Sequence, residues 1–170
     1  MTQFHNVLYV VCRESSIITT YTADTLSPLG ELNEGIDVEL RGPCDIVVCR
    51  HDRQLYVADN WDSIWRVSVD DHSYVKWLTL SSTDRFRVNK LSLTSRHLLV
   101  TSSQPPTVRQ YSTTNKELLC VVQLPQYVKY MYHAVETTHD TFVISHQGTS
   151  QSKWLYEVSE LFRFCHVLQH

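Results

Sequence analysis

"LYVADNWDSIWRVSVDD", residues Leu55 to Asp71, reads as a strand, a polar turn and a second strand. Three other stretches imitate it. They are "LYVVCRESSIITTYTADTL" from Leu8, "LLVTSSQPPTVRQYSTTNKEL" from Leu98 and "FVISHQGTSQSKWLYEVSEL" from Phe142, with starting residues 47, 43 and 44 positions apart. In each copy an apolar run is followed by a polar turn and a second run, from Ile17, Ile64, Val108 or Trp154. A polar break and a third apolar segment follow, reading "LSPLGEL", "YVKWLTL", "LLCVVQL" and "LFRFCHVL" in turn. A further run precedes three of the copies: "CDIVVCRHDRQ", "NKLSLTSRH" and "HAVETTHDT". The unit is thus four strands joined by turns in roughly 44 residues, and self-similarity at that period marks a repeat architecture.

The runs are rich in Val, Ile, Leu, Tyr and Thr, which suit a pleated, packed surface. No segment keeps an apolar i, i+3, i+4, i+7 pattern for ten residues, so helices should be few. With 4 Gly and 5 Pro, the turns must rest on side chains such as Asp24, Asp70, Asp71 and Asn115, which bond nearby backbone. These features predict an all-β chain: a β-propeller of about four antiparallel four-stranded blades. A sandwich is also made of short strands and turns, but the regular period argues against it. The expectation is one domain over 1–170, with blades at approximately 4–42, 43–86, 87–131 and 132–170. Only seven residues precede Leu8, so the first blade is expected to lack its innermost strand and the whole to form an open partial arc.

Composition narrows the function classes. A chain of 170 residues with 42% hydrophobic and 19% charged residues is globular and too apolar for disorder. Its net charge of −3 gives no global basic field for a bulk polyanion. No run approaches the roughly 20 apolar residues of a membrane helix, and "MTQFHNVLYVVC" has neither a basic start nor a small-residue cleavage site. The cysteines, Cys12, Cys44, Cys49, Cys120 and Cys165, are odd in number and lack CxxC spacing. A reducing, intracellular and cytoplasmic setting is expected.

The stretch "PCDIVVCRHDRQLYVADNWDSIWRVSVD" resembles an NHL-type or YncE-like propeller repeat. The match is carried by Pro43, Ile46, Val47, Tyr56, Val57, Ala58, Asp59, Asn60, Ile64 and Val67. The copies at Leu98 and Phe142 have lost the Asp and Asn. The resemblance implies a propeller scaffold, part of a larger NHL-like ring. It says little about function, which lives in sites grafted on the fold.

Three constellations read as structure first. His51, His97 and His139 fall in the turn between the first and second strands of their units, where a solvated turn histidine outweighs a metal ligand. Cys44 and Cys49 are five apart in a strand and point to opposite faces, which suits packing rather than chelation. Asp59, Asn60 and Asp62 could hold a hard cation as in propeller hydrolases, yet Asp59 is expected to bond the backbone of its own turn.

The loops between second and third strands share a rim with the connections between units. They read "RESS", "DNWDS", "SSQPPT", "HQGTSQS", "RGP", "SSTDRFR" and "PQYVKYMY". Exposed aromatics beside arginine are typical of interface hot spots. The expected binding residues are Trp61, Arg85, Arg87, Tyr127, Lys129 and Tyr130. The expected function is a non-enzymatic interaction module presenting rim loops to a protein partner, with no cofactor, metal or membrane. Single-stranded RNA is the alternative ligand for the same rim, and a metal-dependent hydrolase is the more distant one. Self-association through the incomplete propeller edge is a further expectation.

Overall fold

Every apolar run of the repeat becomes a strand. The computed structural model describes residues 1–32, 40–59, 62–80, 86–94, 97–126, 128–137, 141–147, 153–158 and 163–164. The first sheet is β1 (Thr2–Phe4), β2 (Val7–Val11), β3 (Ile18–Thr22) and β4 (Pro28–Glu31) in that order. The second is β5 (Pro43–Cys49), β6 (Gln54–Asp59), β7 (Ser63–Ser68) and β8 (Tyr74–Thr79). The third holds β9 (Lys90–Leu93), β10 (His97–Ser103), β11 (Pro106–Ser112) and β12 (Leu118–Gln123). The fourth is β13 (Lys129–Glu136), β14 (Phe142–Gln147) and β15 (Lys153–Val158). All pairings are antiparallel between neighbours in sequence, apart from β16 (Arg163–Phe164), and no helix occurs among the described residues.

The runs from Leu8, Leu55, Leu98 and Phe142 each supply the second strand of a sheet, and the second runs each supply the third. Two expectations are corrected. The first sheet does have its innermost strand: Thr2–Phe4 pairs with β2 through Thr2↔Tyr9, Gln3↔Leu8 and Phe4↔Val7. A two-residue turn suffices, with His5 in the left-handed region at φ 51°. The terminal segment "LFRFCHVL" was expected to close the fourth sheet. Instead β16 joins the outer edge of the third, pairing Val121↔Phe164 and Val122↔Arg163. Among the described residues the third sheet therefore has five strands and the fourth three.

The strands gather into two compact units, Met1–Thr79 and Leu80–His170. In the first, β5 packs against β1 and β2, closing a core of Phe4, Tyr9, Ile18, Ile46, Leu55, Val57 and Val67 between the first two sheets. In the second, β13 packs against β9 and β10 over Leu99, Val108, Cys120, Val122, Met131, Ala134 and Ile144. Each Val, Leu, Ile, Phe or Met side chain among these, taken wholly out of water, contributes about 1.5–3 kcal/mol. Tyr56, Val57, Ile64 and Val67 of the opening stretch are at most 1% exposed.

The outer turns repeat as faithfully as the strands. Between third and fourth strands, Thr22, Ser68 and Ser112 donate their N–H to the carbonyls of Ser27, Ser73 and Glu117 at 2.9, 3.0 and 2.9 Å. The residue before each acceptor, Leu26, His72 or Lys116, is left-handed at φ 55°, 56° and 64°. Asp71 Oδ1 accepts from the Ser73 N–H at 3.1 Å, and Asn115 Oδ1 accepts from the Glu117 N–H at 3.2 Å. Short polar side chains replace glycine here by bonding the local backbone.

Candidate functional site

The strand register defines one edge of each sheet. In the second sheet Pro43 pairs with Asp59, Asp59 with Ser63, and Ser63 with Thr79. The loop between second and third strands therefore lies on the same edge as the connection into the first strand and out of the fourth. In the third sheet Lys90 pairs with Thr101, Ser103 with Pro106, and Thr107 with Gln123. In the fourth, Lys129 pairs with Gln147, and Gln147 with Lys153.

Asp59 builds this edge in the first unit. It is 3% exposed, and its carboxylate accepts from the Arg41 N–H at 2.6 Å and the Trp65 indole N–H at 3.2 Å. Burial pushes its carboxyl up, while those two donors oppose the shift. Asp59 was expected to bond its own turn. Its main-chain carbonyl accepts from the Asp62 N–H of that turn at 3.3 Å, while its carboxylate reaches to the connection from the first sheet, which carries backbone donors that the ladder leaves unpaired. With both oxygens engaged, Asp59 is a structural anchor. Among the described residues no group of three His, Cys, Asp or Glu side chains gathers as a metal site. Gly42 follows at φ 103°, where a Cβ would sit 3.4 Å from the Arg13 carbonyl, so the connection passes closely over the first sheet's loop.

Ser102 does the same in the third sheet. It stands where Asp59 stands in the repeat, and its hydroxyl accepts the Arg87 N–H at 3.2 Å. The copy at Leu98 has therefore lost the Asp without losing its bond. His146, buried at 5% exposure, occupies that position in the fourth sheet. The other histidines divide. His51 sits in the β5–β6 turn, exposed. His97 opens β10 instead of lying in the turn, its Nδ1 2.8 Å from the Gln110 amide, and His139 lies outside the described residues. Cys49 is buried, Cys44 partly so, and Cys12 is exposed at its strand's end.

In the second unit the edge carries the aromatics. The register slips between Lys129 and Met131 and again between Met131 and His133, so Tyr130 and Tyr132 are each an extra residue in a bulge. Met131 between them is fully buried, while Tyr130 and Tyr132 are 63% and 43% exposed. Two bonds to Met131 hold this kink to the third sheet, and a further one joins Asn89 to Ser103 beside them. The Met131 N–H donates to Ser103 Oγ at 3.2 Å, and the Asn89 amide donates to the Met131 carbonyl and, at 3.4 Å, to Ser103 Oγ. Arg87, two residues before Asn89, is exposed.

Of the sequence-predicted site residues, Arg87 and Tyr130 are thus brought to one edge and exposed. Lys129 lies in β13 with only its backbone described. Trp61, Arg85 and Tyr127 lie outside the described residues. Asn89 and Ser103 were missed, and only their polarity at the ends of apolar runs could have signalled them.

No protein-family model matches the sequence, and no curated protein matches it. Solved structures do. A structure of U3-55K is 18% identical, covering 89% of this chain and 42% of that one, with a TM-score of 0.64. A chain in a crystal structure of the mitotic checkpoint complex is 12% identical, covering 93% of this chain and 48% of that one, with a TM-score of 0.64. Both are WD40-like β-propellers.

The fold is that of a β-propeller.

The chain spans less than half the length of the propeller chains it matches. In propeller terms, the edge carrying Asp59 in the first unit, and the edge carrying Ser102, Arg87 and Tyr130 in the second, are each a side of second-to-third-strand loops and blade-to-blade connections.

Proposed function

We propose that this chain is a non-enzymatic interaction module, part of a larger NHL-like propeller in the cytoplasm, that binds a protein partner through its rim. The observation that carries the reading is the locked double bulge of β13. Two neighbouring tyrosines are held outward by the burial of Met131 and by the Asn89 and Ser103 bonds, beside the exposed Arg87. Tyrosine and arginine on a preorganised backbone give contact area at low entropic cost, the composition of binding hot spots. One of the similar structures, a chain in a mitotic checkpoint complex, is itself part of an assembly, in keeping with a scaffold role.

The test is a double substitution, Arg87→Glu with Tyr130→Ala, in the full chain. Partners captured by the wild type should be lost by the variant while its far-UV spectrum and unfolding midpoint stay unchanged. Undiminished capture would overturn this rim as the binding face. Binding of single-stranded RNA that falls steeply between low and physiological salt would replace protein with RNA as the ligand.

A further inference from the structure

Charge is divided unevenly between the two units and, inside the second, between its two edges. Met1–Thr79 holds 6 Lys and Arg against 12 Asp and Glu, whereas Leu80–His170 holds 9 against 6. A chain that is acidic as a whole therefore contains a basic unit.

The strand register of the second unit places these charges. Arg87 leads into β9, and Lys90, Lys129 and Lys153 begin β9, β13 and β15. Lys90 pairs with Thr101 near the end of β10, and Gln147, the last residue of β14, pairs with both Lys129 and Lys153. All four cations thus stand at the edge of second-to-third-strand loops. Among the described residues of this unit the carboxylates are Glu117, Glu136 and Glu157, and all three lie at the opposite edge. Glu117 belongs to the β11–β12 turn with Lys116, Glu136 pairs with Phe142 at the start of β14, and Glu157 pairs with Val143. Of the remaining described cations, Arg109 lies mid-strand with its guanidinium 4.1 Å from the centre of the Phe86 ring, and Arg163 is on β16.

The repeat position of Asp59 reinforces the division. Where the second sheet has that carboxylate, the third and fourth have Ser102 and His146. Ser102 keeps the bond to the connecting backbone at Arg87, but it brings no negative charge to the edge. The two outward tyrosines of β13, Tyr130 and Tyr132, stand at this same edge.

We infer that the partner segment seated on this edge is an acidic peptide with apolar residues set among its carboxylates. The inference rests on the rim reading and adds the partner's chemistry to it. Carboxylates complement the row formed by Arg87, Lys90, Lys129 and Lys153, and apolar side chains complement the rings of Tyr130 and Tyr132. Sheets of a propeller pack face to face, so this edge stays open when a ring is complete. A nucleic acid fits less well. It carries charge along its whole length and would meet a chain of net charge −3, whereas a short acidic segment confines its charge to the basic edge.

The probe is a fluorescein-labelled random copolymer of glutamate and tyrosine, titrated with the full chain and followed by fluorescence anisotropy. It should bind at low salt and weaken as salt rises. Polyglutamate alone should bind more weakly, and polyuridylate more weakly than the copolymer. Lys129→Glu should weaken the copolymer about fivefold, while Lys116→Glu at the opposite edge should leave it within about twofold. If Lys129→Glu does not fold, Lys153→Glu takes its place. A copolymer that does not bind, or binds no better than polyglutamate, overturns the inference. So does an equal loss from Lys116→Glu, which would show bulk charge at work. Tighter binding of polyuridylate overturns it in favour of RNA. The rim reading is judged separately. Partner capture that Arg87→Glu with Tyr130→Ala abolishes, but that the copolymer does not compete, would remove the acidic partner and spare the rim.

Discussion

At Asp59 one carboxylate joins two sheets' worth of chain, and its place in the repeat explains more than its charge. The bond it makes to the Arg41 N–H is remade in the third sheet by a serine hydroxyl to the Arg87 N–H. What the position demands is an acceptor, and an acid is one way to meet it. Asp59→Ala should therefore cost about 2 kcal/mol, since a buried N–H loses its partner. Asp59→Ser should cost less than half of that in the same denaturant titration. Equal losses would show that the carboxylate acts otherwise. The repeat offers a second comparison at residue level. Val57 is fully buried and Val10, its equivalent, half-buried. Val57→Ala should cost about 2 kcal/mol as a cavity, and Val10→Ala clearly less.

Among the elements, the outer turns and β13 show how few residues decide a connection. The turn from Ser68 to Ser73 is held by Asp71, whose hydrogen bonds, from Ser68 first and Ser73 second, draw its carboxyl down from 3.8 to about 2. A depressed carboxyl stabilises the fold fully above its ordinary value and loses that contribution as pH falls through the depressed one. Thermal unfolding of the wild type should therefore exceed that of Asp71→Asn near pH 5, and the gap should close as pH falls toward about 2. A constant gap would mean that the turn does not sense the charge. The third sheet's turn uses Asn115 in the same place and carries no such dependence. In β13, the two bulges convert a Tyr-Met-Tyr sequence into two outward rings and one buried thioether.

At the scale of the molecule, stability and binding should separate. The cores lie between sheets, whereas Arg87 and Tyr130 stand at the rim, so Arg87→Glu with Tyr130→Ala should shift stability by less than about 0.5 kcal/mol. A larger loss would mean that the bulge is part of the core.

Much of this was legible before any coordinates. The spacing of Leu8, Leu55, Leu98 and Phe142 specified four sheets and the second and third strand of each, because strand length and side-chain alternation are local properties. The burial of Tyr56, Val57, Ile64 and Val67 followed from the same pattern. Asp71 and Asn115 declared their turns, since their bonds reach only two residues. What the sequence could not settle depends on partners distant along the chain. Thr2–Phe4 is too short to be recognised as a strand until β2 offers it a ladder. Arg163–Phe164 could edge either of two sheets, and only pairing with β12 chose one. Asp59 meets a donor 18 residues away, and Asn89 an acceptor 42 residues away. A repeat writes its strands locally, but the bonds that join its sheets exist only once the chain has folded back on itself.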